Sequence, residues 1–232
     1  ENAYKYYKKA ADLGDSDALV AIGLFYENGW LGKEDIDSAK QYYEKAAAAG
    51  NKYGAGNLGN CYFDEGEFAK AREYFEDKAG WEVNAYAAYS LGQMYLDDSV
   101  DKGVVANDLA KAKKYLLKAE ELGVEDEAIK VKIYGGLGYC FFKEKDYITS
   151  GNYYVKAADT DTSNANDARN AGVAFESAGE YNKAAVCYSA ALSRGYKGNH
   201  DLVDALKKMN EKKLLSQDTY DKYVKKWVET KK

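Results

Sequence analysis

The side chains able to do covalent or metal chemistry are few. Cys61, Cys140 and Cys187 are an odd number with no close pair, so they form neither a disulfide framework nor a zinc site and read as small buried apolar residues. The one histidine, His200, lies in a Gly-Asn-His-Asp turn with no serine or cysteine motif beside it, which is the pattern of a surface residue or helix cap. No nucleophile elbow or phosphate loop occurs. Gly135-Gly136-x-Gly138 is glycine-rich, but no strand precedes it, so it is not read as phosphate-binding. Asp97-x-Ser99-x-Asp101-x-Gly103 and Asp159-x-Asp161-x-Ser163 alternate oxygen ligands as calcium loops do. The first lacks the expected glycine and closing glutamate and the second lacks the glycine turn, so both read as loops and caps. Catalysis, a metal and a cofactor are therefore not expected. The chemistry left is recognition by rings, amides and cations, and its meaning depends on the elements that carry them.

The 232 residues are 46% hydrophobic and 31% charged, enough apolar material for a core and too much for a disordered chain. The apolar residues recur at intervals and never run to the ~20 needed to cross a bilayer, so membrane insertion is not expected. Thirty-three basic against 38 acidic residues give a net charge of −5, which offers no general attraction to nucleic acid. Twenty-one glycines and no proline read as helices joined by glycine turns. The opening residues carry no signal-peptide pattern. Unpaired cysteines favour a cytoplasmic setting, with secreted or periplasmic settings left open.

A two-block unit recurs five times. In the first block a glycine after a small or aliphatic residue precedes an aromatic by three: Ile22-Gly23 with Tyr26, Leu58-Gly59 with Tyr62, Leu91-Gly92 with Tyr95, Leu137-Gly138 with Phe141, Ala171-Gly172 with Phe175. The second block places Ala39, Ala71, Ala112, Ser150 and Ala184 three residues after a large apolar side chain and three to four before others. Ile36, Ala39, Tyr43 and Ala46 thus share one helical face, and that face must be buried. A mid-helix glycine costs about 1 kcal/mol, so five of them imply close helix packing, with the small residue of the second block as the expected contact. The gaps from aromatic to small residue are 13, 9, 17, 9 and 9, differing by whole helical turns, so insertions lengthen the turns at 28–37 and 97–108 without rotating the packed face.

The first unit, from Ile22-Gly23 through Tyr26, Gly29, Asp35, Ala39, Tyr42-Tyr43 and Lys45-Ala46-Ala47 to Gly50, resembles the Sel-one-like repeat. Units two, four and five are more similar to tetratricopeptide repeats, clearest in Ala178-Gly179-Glu180-Tyr181 with Ala184, Tyr188, Ala191 and Leu192, although the usual proline and early tryptophan are missing. The resemblance spans about residues 1–196 and implies an all-α, right-handed solenoid of stacked antiparallel helix pairs. The expected organisation is a partial repeat at 1–14, repeats at about 15–50, 51–80, 81–123, 124–160 and 161–196, and a helical cap at 197–232. Residues 3–14 repeat the second block, so further repeats or a capping helix are expected upstream. The last segment, with ten basic and six acidic residues, reads as two helices with a capped start near Ser216.

The resemblance also implies a groove on the first helices, read across at six and three residues before each glycine and one, four and five after it. Those positions give Tyr53, Asn60, Phe63, Tyr86, Tyr89, Gln93, Lys132, Tyr139, Lys143 and Arg169 as candidate binding residues. Rings supply contact area at small entropy cost, amides pair with backbone, and the cations suit acidic stretches. A carboxylate clamp of the chaperone-binding kind is not expected. Asn60 and Lys132 would fit one, but Gly56, Ser90 and Gly136 stand where polar or basic partners are needed. The reading is a non-catalytic scaffold for a protein or peptide partner, with the 97–108 turn as a second contact edge. The alternatives are a module for glycans or cell-wall fragments and a regulatory segment of a larger enzyme or membrane protein; oligomeric state is not read from the residues.

Overall fold

The computed structural model describes residues 2–96 and 107–229, and every regular element among them is helical. Helix starts follow from local chemistry. Asp35 accepts the Ser38 N–H, Asn51 that of Gly54, Asp126 that of Ile129, and Ser216 that of Thr219, each satisfying a donor the helix leaves unpaired. Helix ends use the left-handed conformation, as at Gly50 (φ 83°) after the helix that closes at Ala48. The chain divides into two compact units, Glu1–Val124 and Glu125–Lys232.

In the first unit α1 (Asn2–Asp12) packs on α2 (Ser16–Glu27), which pairs with α3 (Ile36–Ala48). The second hairpin is α4 (Lys52–Asp64) with α5 (Phe68–Arg72), which runs on into a π-helical turn, Glu73–Asp77. A 3-10 turn at Gly80–Glu82 leads to the third, α6 (Ala85–Leu96) with α7 (Leu109–Leu122). The second unit holds α8 (Glu127–Lys143) with α9 (Tyr147–Thr160), then α10 (Ala165–Ser177) with α11 (Tyr181–Ser193). Its end is α12 (Asn199–Glu211) and α13, made of Gln217–Thr219, a π turn Tyr220–Val224 and Lys225–Val228. Leu202, Leu206, Met209 and Val224 join the core laid down by α10 and α11, and the Trp227 indole donates to Ser189 Oγ at 2.9 Å.

The five recurring glycines do mark the helix contacts, and the expected small residue takes part in two of them, where Ser150 Oγ donates to the Gly138 carbonyl at 2.7 Å and the Ala71 carbonyl approaches Gly59, but the main cover is another side chain. A large side chain four residues beyond the small one lies over each: Tyr43 on Gly23, Phe75 on Gly59, Leu116 on Gly92, Tyr154 on Gly138 and Tyr188 on Gly172. A Cβ at these glycines would stand 2.3–2.9 Å from that side chain, so even alanine is excluded. Burying a ring contributes about 2 kcal/mol or more, which offsets the roughly 1 kcal/mol lost in helix propensity.

One closure recurs in all five hairpins. The residue that opens the second helix donates its backbone N–H to the carbonyl of the aromatic three beyond the glycine: Asp35 to Tyr26, Glu67 to Tyr62, Asp108 to Tyr95, Asp146 to Phe141 and Glu180 to Phe175, at 2.8–3.0 Å. The long turn after α2 therefore bulges outside a closure shared with the short ones, as the four-residue spacing predicts.

The sequence gives no sign of the π turn after α5. Its residue Glu76 accepts from the Tyr95 and Tyr115 hydroxyls, both at 2.7 Å, tying the second hairpin to the third. Burial works against that carboxylate's charge, but the two hydroxyls and Lys111 outweigh it and hold its pKa below the usual range.

Candidate functional site

In the first unit the candidate residues sit on α4 and α6. Tyr53 and Tyr86, in the first turns of these helices, are 55% and 42% exposed, a large apolar area left to solvent. Asn60 is drawn into structure instead. Its amide donates to Asn84 Oδ1 at 3.4 Å, while Asn84 donates to Asn57 at 2.8 Å and caps α6 through the Ala87 N–H. Gly56 makes room for this: a Cβ there would meet Asn84 at 2.7 Å, and one on Gly80 would meet the Gly56 backbone at 2.7 Å. Phe63 is half-buried, edge-on to Phe68 at 5.3 Å within its own hairpin. Tyr89 and Gln93 are half-buried on α6.

In the second unit three candidates converge. Tyr139 and Lys143 on α8 and Arg169 on α10 line one cleft of about 200 Å³, completed by Phe142, Tyr154, Asn170 and Val173. The Lys143 ammonium sits over the Tyr139 ring, 5.2 Å from its centre, and Arg169 donates to Asn170 Oδ1 at 3.0 Å. Tyr154, nearly buried, forms the floor. Burial and the charge of Asp167 raise its hydroxyl's pKa, and Arg169 works the other way. Lys132 does not reach this cleft; it lies earlier on α8 in a groove of about 540 Å³ with Val131, Thr160 and Asn164. Spacing from Gly138 and Gly172 located Tyr139, Lys143 and Arg169. The candidates leave out Phe142 and Val173, which stand four after Gly138 and one after Gly172, as well as Tyr154, which comes from a second helix, and Asn170, which sits one residue off the positions read across.

The remaining sequence motifs resolve simply. Asp161 accepts from the Ser163 N–H and hydroxyl at 2.9 and 2.6 Å, a local turn whose bonds lower its pKa. The acidic stretch at 97–103 and most of the 97–108 edge lie outside the described residues. His200 is exposed in the first turn of α12. Gly135, Gly136 and Gly138 lie within α8, with Gly138 under the Tyr154 ring. Among the described residues no helix is long and apolar enough to cross a membrane.

The Sel1 repeat model matches residues 1–15, 16–51 and 85–124, and a tetratricopeptide repeat model matches 55–77. No curated protein matches. Among solved structures, a Sel1 repeat protein from Oxalobacter formigenes is similar over 98% of this chain and 92% of its own, with TM-score 0.54 and 18% identity. The protective antigen c5321 of uropathogenic Escherichia coli, which displays an SLR fold, is similar over 97% of this chain and 57% of its own, at 0.52 and 20%. YrrB, a TPR protein, is similar over 87% and 97%, at 0.54 and 21%. The family matches lie in the first unit, and the hairpins of the second carry the same glycine-and-ring contact. The first unit is built of Sel1-like and tetratricopeptide repeats, and the chain as a whole has the all-α helical-repeat fold of that superfamily.

Proposed function

We propose that this chain is a non-catalytic scaffold that holds a peptide or protein segment against the exposed face of its first helices. Folds of this superfamily generally serve as protein-interaction scaffolds and are typically non-catalytic. The observation that carries the reading is the convergence of Tyr139, Lys143 and Arg169, from two successive first helices, on a single cleft. Aromatic wall, two cations and an amide suit an extended segment with polar or acidic side chains. YrrB, of the same fold, is described as having an unusual peptide-binding site.

The test is selection of phage-displayed random peptides on the full chain, followed by affinity measurement with the enriched peptide. Tyr139→Ala and the pair Lys143→Ala/Arg169→Ala are expected to weaken binding about tenfold or more while helical circular dichroism is unchanged. No enrichment, or affinity indifferent to all three substitutions, overturns the proposal. Tyr53→Ala/Tyr86→Ala, measured the same way, reports whether the first unit's exposed rings take part.

A further inference from the structure

Two of the hairpins satisfy the tyrosine that covers their glycine in the same way. In the first, the Tyr43 hydroxyl donates to Glu27 Oε2 at 2.5 Å; in the fifth, the Tyr188 hydroxyl donates to Glu176 Oε2 at 2.6 Å. Glu27 and Glu176 each lie four residues after the glycine. Where the covering side chain has no hydroxyl, as with Phe75 and Leu116, that position holds Phe63 and Leu96. Tyrosine goes with glutamate, and an apolar cover goes with an apolar residue, because a hydroxyl left without a partner loses the bonds it had in water.

The fourth hairpin breaks the rule. Its cover is Tyr154, but the position four after Gly138 is Phe142, whose ring turns edge-on to Tyr147 at 5.2 Å. Among the described residues no carboxylate hydrogen-bonds to Tyr154. The hydroxyl-bearing ring instead lines the open cleft. The same hairpin is the one flanked by cations. Five residues after the glycine stand Asn28, Asp64, Asp97, Lys143 and Ser177, and three before it Val20, Gly56, Tyr89, Gly135 and Arg169. The only basic residues at either position, Lys143 and Arg169, both line the cleft with Tyr154. Asn170 joins them, at the position that Asn57 holds beside Tyr43 in the first hairpin. The nearest acid, Asp167, is turned to Asn164 and the backbone at Gly135 and does not line the cleft.

We propose that this cleft is a socket for a glutamate side chain of a bound segment, which takes against Tyr154 the place that Glu27 and Glu176 take against Tyr43 and Tyr188. Lys143 and Arg169 supply the charge that draws the acid in, Tyr154 and Asn170 supply neutral donors, and Phe142, Val173 and Tyr139 cover its methylenes. The socket differs from the chaperone-type clamp in using neither Asn60 nor Lys132. It deepens the scaffold reading and rests on it.

The probe is N-acetyl-glutamate N-methylamide, titrated into the full chain and followed by the side-chain NMR signals of Arg169 and Tyr154. A saturable shift is expected, about tenfold weaker with the glutamine analogue, since a charge-assisted contact is replaced by a neutral one. Tyr154→Phe and Arg169→Ala should each abolish it with helical circular dichroism retained. Phe142→Glu supplies the missing carboxylate from within, so it should block the probe and melt higher than Phe142→Gln, which loses the same ring without gaining charge. Equal shifts with glutamate and glutamine, or an unblocked probe in Phe142→Glu, overturn the socket. So does tighter binding of N-acetyl-alanine, whose only carboxylate is C-terminal. Selected peptides that lack acidic residues yet depend on Tyr139 would remove the socket and leave the scaffold standing.

Discussion

Asp167→Asn should make the second unit more stable at neutral pH, and the reason is worked from one carboxylate. Asp167 lies in the first turn of α10, 9% exposed, and accepts from the Asn164 amide at 2.7 Å while Asn164 Oδ1 caps the helix by accepting the Asp167 backbone N–H. Burial, with the charge of Asp161 adding and the Asn164 bond opposing, pushes its pKa from 3.8 up to about 6. The native state thus binds the proton more tightly than the unfolded chain. Its contribution to stability is fully present below about pH 4 and is lost as the pH rises through about 6. A shift of this size corresponds to about 3 kcal/mol at neutral pH. Asparagine keeps the oxygen that meets Asn164 and loses the charge, giving up about 0.5 kcal/mol of attraction to the helix N-terminus. A net gain of about 2 kcal/mol is expected near pH 7.5 and none near pH 4. Urea titrations followed by helical circular dichroism at the two pH values measure both numbers. A loss of stability at the higher pH, or the same gain at both, would refute the reasoning.

Glu76→Gln should behave in the opposite sense in the first unit. Its carboxylate pKa is depressed, so its contribution is present above the usual carboxylate range and lost on acidification; the variant should lose about 1–2 kcal/mol at neutral pH and nothing in acid, read by the same titrations. Tyr188→Phe, which deletes the donor to Glu176, should cost about 1–2 kcal/mol by thermal melting, whereas Tyr154→Phe should cost much less. Gly80→Ala presses a methyl into the Gly56 backbone and should cost about 3 kcal/mol, visible as a lowered urea midpoint. Lys145 holds φ 66° where Gly66 and Gly179 stand in the equivalent turns, so Lys145→Gly should stabilise the fold by about 0.5 kcal/mol after the unfolded chain's added entropy is counted, seen as a raised urea midpoint.

The hairpins were legible because their signal is repeated: Gly23 and Tyr26, with Ala39 and Tyr43 behind them, recur four more times at spacings that respect the helical turn. The partner of each glycine was not legible, since a period shows which residues share a face but not which side chain on the opposing helix lies flat across it. The small residue does meet the glycine's backbone where Ser150 bonds the Gly138 carbonyl, while rotamer direction lays the ring of Tyr43 or Tyr188 across the glycine itself. Three of the seven cleft residues followed from alignment, because Tyr139, Lys143 and Arg169 lie on first helices at fixed offsets. Tyr154 and Asn170 did not, being contributed by a second helix and by the flank of the face. The offset that selects Phe63 likewise does not show that its ring also packs edge-on to Phe68 in the following turn. The π turn at Glu73–Asp77 left no trace in periodicity, because Phe75 within it keeps the spacing of four from Ala71 that the other covering side chains keep from theirs.

The bond from Asp35 to the Tyr26 carbonyl separates what happens beyond it from what happens below. With the neck fastened there, and Trp30 held by its N–H bond to the Phe25 carbonyl, foreign residues spliced between Gly32 and Lys33 would add mainly loop-closure entropy, about 0.6 kcal/mol for each doubling of length, and leave Tyr43 seated on Gly23. The molecule is therefore a ready chassis for carrying an epitope or a tag, and a lineage that needed a new contact surface had a site where it was free to grow one.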